Sequence, residues 1–70
     1  DSKKKLQKYS LKKYKKLPIY TLLKTSGPHH KPIFKVTVKT PNSKRVTGSG
    51  SSKKDAQQNA AKLLLESLKI

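Results

Sequence analysis

The chain predicts an α+β fold of order α-β-β-β-α, a three-stranded antiparallel sheet with both helices packed on one face. Three observations predict it. Apolar and small residues recur at helical spacing at both ends, at Leu6, Tyr9, Ser10 and Tyr14 and again at Ala56, Ala60, Leu64 and Leu68. Between them Phe34, Val36 and Val38 alternate with Lys35, Thr37 and Lys39, the period of a strand with one wet face. Clusters of Gly, Pro, Asn and Ser punctuate the extended segments.

The first helix is expected over Ser2 to Lys16, with Ser2 as its cap and Leu17 continuing the apolar stripe. Its other face carries Lys4, Gln7, Lys8, Leu11 and Lys15. Pro18, with no N–H and a fixed φ, ends it. Ile19 to Thr25, rich in branched and aromatic residues, reads as the first strand, and Ser26 to Pro32 as a loop. Ile33 to Lys39 is the second strand and Thr40-Pro41-Asn42-Ser43 a turn. Lys44 to Ser49 is the third strand, anchored by Val46, after which Gly48 and Gly50 loosen the backbone. In the last helix Ser52 and Asp55 resemble a capping box, and Ala61, Leu63 and Leu65 widen the apolar stripe. Its alanines let it lie close on the sheet.

The 70 residues are enough for one small domain, expected over 1–70. A chain this short buries only about 60% of its unfolded surface. Without cysteine, neither a disulfide nor a thiolate–zinc site can reinforce it. Eighteen Lys and Arg face three acids, Asp1, Asp55 and Glu66, for a formal net charge of +15. Such an excess repels itself unless a polyanion neutralises it. Only Arg45 is an arginine, and lysine suits phosphates better than the bidentate reading of guanine edges. No apolar stretch reaches the ~20 residues that cross a bilayer. With no secretory signal core either, a cytoplasmic setting is expected. Beginning at Asp1 rather than Met, the chain is expected to be part of a larger one.

These residues resemble the double-stranded RNA-binding domain family over nearly the whole chain. The likeness rests on Leu17-Pro18-Ile19-Tyr20, Gly27-Pro28-His29-His30, and the alternating Phe34 to Val38. It continues through Gly48-Ser49-Gly50-Ser51-Ser52-Lys53-Lys54-Asp55-Ala56 and Ala60 to Leu68. Each piece alone is weak; their order and spacing together are specific. Leu6-Gln7, upstream of Leu17-Pro18, is most similar to the C-terminal domain of bacterial ribonuclease III. That implies a parent endoribonuclease, Mg2+-dependent and homodimeric, while this domain alone is monomeric and needs no cofactor. The alternative is a module of a non-nuclease protein that binds double-stranded RNA.

The family spans about 16 base pairs of A-form RNA, touching two minor grooves and the phosphates between. Three patches are expected to do so here. Lys53 and Lys54 oppose the dipole of the helix they begin, a conflict that a phosphate removes. Gln57 follows one turn on, where many relatives place another lysine. In the loop, Gly27, Pro28 and His30 are implied at a minor groove, with His29 facing water. On the first helix, Lys4, Gln7 and Lys8 make the remaining patch. Gln7 resembles the family's minor-groove reader, while the lysines and Leu11 depart from the usual pattern toward plain electrostatics. Other lysines are expected to steer encounter rather than make specific contacts. Tyr9, Tyr20 and Phe34 are expected in the core, not as stacking platforms; Tyr14 is open.

An enzymatic activity of this fragment fails on its inventory, since clustered carboxylates to hold magnesium are missing. A lysine-rich membrane-surface peptide conflicts with the strand-turn-strand centre. A duplex-DNA reader lacks an evident recognition helix and arginines.

Overall fold

The computed structural model describes residues 1–69; Ile70, the last residue of the expected domain, lies outside them. The elements are α1 (Ser2–Tyr14), β1 (Ile19–Ser26), β2 (Ile33–Lys39), β3 (Val46–Gly50) and α2 (Lys53–Leu68), in the predicted order. The sheet is antiparallel throughout, ordered β1-β2-β3. Helix α2 lies on β2 and β3, and α1 packs beside it. Leu6, Val38, Ala60, Ala61, Leu64 and Leu65 form the core, with Tyr9, Tyr20, Val46 and Leu68 packed around it.

The ends of α1 differ from expectation. Asp1, not Ser2, is the N-cap, its carboxylate accepting from the Lys4 N–H. A carboxylate at a helix start also favours the dipole, so it outcompetes a hydroxyl one residue on. The helix stops at Tyr14 rather than Lys16, because Lys15 adopts a left-handed φ of 61° and its N–H bonds the Leu11 carbonyl. Buried Ser10 holds that turn by donating its hydroxyl to the Lys16 carbonyl. Pro18 therefore does not end the helix; it only forbids its return. The reversal also leaves Leu17 56% exposed instead of in the stripe.

Strand β1 runs one residue further than expected and carries a bulge between Leu22 and Lys24. Register puts Leu22 opposite buried Val36, on the core side, yet Leu22 is 44% exposed because α2 covers β2 and β3 and not this edge. The Thr40–Ser43 turn is closed by the Ser43 N–H on the Thr40 carbonyl and by Ser43 Oγ, which accepts from both the N–H and the hydroxyl of Thr40. Lys44 and Arg45 stay outside β3, which begins at Val46.

Helix α2 is capped by Ser52 as expected, its hydroxyl accepting from the Asp55 N–H at 3.0 Å. The return half of the box differs: the Asp55 carboxylate takes the Ser51 hydroxyl. Leu63 is exposed, since it lies off the seam made by residues 60, 61, 64 and 65. The glycines of β3 do more than loosen the chain. A Cβ at Gly48 would sit 2.2 Å from the Ala60 nitrogen and 2.5 Å from its Cα; one at Gly50 would sit 2.7 Å from the Ala56 nitrogen. Strand and helix backbones are in contact there, and only hydrogen fits between them.

Gly48→Ala should therefore cost more than the ~1–3 kcal/mol of ordinary overpacking, because backbone cannot move aside like a side chain. We expect a largely unfolded far-UV circular dichroism spectrum in water. A urea midpoint equal to that of the wild type would refute the close approach.

Candidate nucleic-acid interface

The start of α2 is the centre of the candidate surface. Lys53 and Lys54 occupy its first two positions, both exposed, where the helix presents unpaired N–H groups and partial positive charge. Asp55 is the only acid of that turn, and its carboxylate is engaged with Ser51. Two ammonium groups and the helix end thus concentrate positive charge at one point. An oxyanion placed there meets both cations and backbone donors.

The loop between β1 and β2 is a fixed turn rather than a loose connection. The Lys31 N–H donates to the Pro28 carbonyl at 3.0 Å, which places His29 and His30 at the tip, both exposed. Gly27 has φ 88°, and a Cβ there would meet the Lys31 carbonyl at 2.7 Å, so the turn requires glycine. The Pro28 carbonyl keeps a second lone pair for a ligand donor. His30, Lys31, Pro32 and Ile33 form one wall of a groove of about 580 Å3 whose other wall is Ser49, Gly50 and Ser51. That groove leads from the loop to the cap of α2, so the loop patch and the Lys53–Lys54 patch share one end of the molecule.

The α1 patch is tied to the same end by hydrogen bonds between the helices. Lys3 Nζ donates to Gln57 Oε1 at 2.8 Å, and the Lys3 N–H to Gln58 Oε1 at 3.2 Å. Gln58 Nε2 in turn donates to Asp1 Oδ1 at 2.9 Å, the oxygen that also caps α1. This clasp fixes the N-terminal turns of α1 and α2 against each other. Lys4, Gln7 and Lys8 are exposed on α1 beyond it. Gln7 borders a shallow cleft with Lys3, Leu17, Pro18 and Tyr20, while Lys4 and Lys8 lie with Asp1 and Lys5 on the neighbouring side. Gln57, expected to face RNA, is half-buried with its carbonyl oxygen taken by Lys3; its amide N–H2 is the part left for a ligand.

Lys3, Asp1 and Gln58 were not singled out from the sequence. An Asp at a helix start is a recognisable cap, so Asp1 could have been found. The Lys3–Gln57 bond joins residues 54 apart and leaves no local signal. The aromatic residues behave as structure. Tyr9 and Tyr20 pack on the core, and Phe34 is half-buried. Burial raises the Tyr20 phenol above its ordinary pKa. Tyr14, open from the sequence, meets Tyr9 edge-on at 6.1 Å with Lys13 over both rings. The hydrogen bond between the two phenols lowers the pKa of Tyr9 and raises that of Tyr14. Both rings are thereby engaged within α1. Among the described residues, no three of His, Cys, Asp and Glu gather where they could hold a metal ion, and no helix is long and apolar enough to cross a membrane.

Residues 2–68 match the double-stranded RNA binding motif. The chain is 59% identical over 68 residues to ribonuclease 3 of Pelagibacter ubique, covering 97% of this chain and 31% of that protein. Ribonuclease 3 of Leptospira interrogans is 50% identical over 64 residues, covering 91% and 26%. The chain therefore spans under a third of these relatives. Among solved structures, that of both dsRBDs of DRB4 with their linker matches with a TM-score of 0.73 at 38% identity, covering 96% of this chain and 43% of that one. The second DRB4 dsRBD alone matches at 0.69 and 37%, covering 99% and 96%.

Replacing Gln57 and Gln58 together by Leu removes the clasp. At about 1 kcal/mol per hydrogen bond, loss of the three bonds should cost ~3 kcal/mol in a urea titration. Amide exchange should quicken in the first turns of α1 beyond the change that the lost global stability brings to β2. Equal protection of α1 in variant and wild type would show that the clasp does not hold it.

Proposed function

Because this chain belongs to the double-stranded RNA binding motif family, we propose that it grips duplex RNA as the substrate-binding domain of a ribonuclease III. The observation that carries this is the placement of Lys53 and Lys54, exposed on the N-terminal turn of a helix whose dipole they oppose. The arrangement weakens the free domain and is relieved by a phosphate. The His30 turn and the Gln7 face flank that point, and each presents hydrogen-bonding groups suited to 2′-hydroxyls. Lys4 and Lys8 add charge beside Gln7, Gln57 offers its amide, and Gly27 and Pro28 shape the turn. Recognition is of backbone and shape, without strong sequence preference.

The parent we infer is a Mg2+-dependent endoribonuclease specific for double strands, homodimeric and cytoplasmic. Its metal-binding carboxylates would lie outside the residues described here. This domain supplies the grip, acts as a monomer and needs no cofactor.

Duplex RNA affinity should fall at least about tenfold for each of Lys53→Ala and Lys54→Ala, the worth of a charge-assisted hydrogen bond. The wild-type log–log salt slope of about −4 to −5, for roughly five neutralised phosphates, should become shallower by about 2 in the double variant. Unchanged affinity with an intact circular dichroism spectrum would defeat the assignment. His30→Ala and Gln7→Ala should act on selectivity instead. Paired titrations with RNA and DNA duplexes of equal length should show their preference for RNA shrinking more than in the lysine variants. A ratio identical to that of the wild type would remove both residues from the minor-groove contacts.

A further inference from the structure

The helices cover one face of the sheet and leave the other open. On that open face, register sets Lys24 directly opposite Lys35 and Ile19 opposite Lys39. Thr21, Thr37 and Thr47 form a row across all three strands between those cations. Arg45 joins Lys39, Ile19, Thr21 and Thr37 around a shallow hollow of about 260 Å3. The four cations are all exposed.

The fold gives no reason for this arrangement. Like charges directly opposite each other on neighbouring strands are destabilising, and a threonine would suit those positions better. The chain's acids, Asp1, Asp55 and Glu66, all belong to the helical layer, so no carboxylate of the sheet relieves the repulsion. The cations stand in two groups. Lys35 and Lys39 are four residues apart on β2, about 13 Å at ~3.3 Å per residue. A single small anion cannot meet both groups. A second copy placed face to face would oppose lysine with lysine. An extended polyphosphate running along the strands meets both groups and passes over the threonine row between them.

We propose that the open sheet face binds the backbone of a second nucleic-acid duplex while the helical layer holds the first. One chain then bridges two duplexes. The surface is electrostatic and flat, so its hold is weaker and more sensitive to salt than the grip at α2.

The test uses the full chain and two populations of RNA duplex of about 16 base pairs, one carrying a donor dye and one an acceptor. At low salt and one protein per two duplexes, the wild type should produce energy transfer between them. The triple variant Lys24→Thr, Lys35→Thr, Lys39→Thr should lose the transfer, while its affinity for a single duplex drops by no more than about threefold through reduced steering. The triple arginine variant should keep it. Lys35→Thr alone should lower the transfer and raise the melting temperature without RNA, a check on folding that a damaged sheet would fail. Transfer that persists in the triple threonine variant overturns the proposal. So does abolition of wild-type transfer by polyglutamate or phosphatidylserine vesicles as readily as by unlabelled duplex, which would assign the face to an acidic protein or a lipid surface. Single-duplex binding in the Lys53→Ala, Lys54→Ala variant is measured separately, so an error about the helical grip does not pass for an error about the sheet.

Discussion

The arrangement depends on the backbone contact between β3 and α2. With Gly48 against Ala60 and Gly50 against Ala56, the helix lies as near the sheet as main chains allow. Such proximity lets a domain of this size fill its core with small residues and few large ones. Ala56, Ala60 and Ala61 are fully buried there, with Leu64 and Leu65 completing the seam. It also fixes where α2 begins, because Gly50 is followed at once by Ser51, which donates to the Asp55 carboxylate, and by Ser52, whose hydroxyl caps the helix. The positive helix end is thereby anchored at the backbone contact between strand and helix.

From that anchor the rest of the surface is positioned outward. The clasp of Asp1, Lys3, Gln57 and Gln58 brings α1 to the same end. The groove between the His30 turn and Ser51 brings the loop there too. Groups that must meet a rigid duplex at several points gain from being held in place before it arrives, since less ordering remains to be done on binding. The clasp also explains why Gln57 differs from the lysines that precede it. A second cation at that position would face Lys3 Nζ, whereas an amide oxygen accepts from it.

Charge sets the remaining constraint. A net charge of +15 on 70 residues works against compactness, and the three acids are placed where they serve helix caps and helix surfaces rather than the sheet. Membership of a family that binds double-stranded RNA supplies the counter-charge that the fold lacks. The free domain is accordingly less stable than its complex, because any ligand that binds only the folded state adds its binding free energy to stability.

By itself the sequence determined the order of elements, the strand alternation of β2, the Ser52 cap, the Thr40–Ser43 turn and the sign of the partner's charge. Each is a property of residues within a few positions of one another, and local propensity and periodicity decide them. Tertiary structure decided that α1 ends at left-handed Lys15, held by Ser10, and that Leu17 and Leu63 face outward. It decided that Gln57 answers Lys3, and that Lys24 stands against Lys35 across a bulge. These outcomes depend on which distant surfaces meet and in what register, and the free energy that selects among them comes from packing between elements, which no local pattern contains.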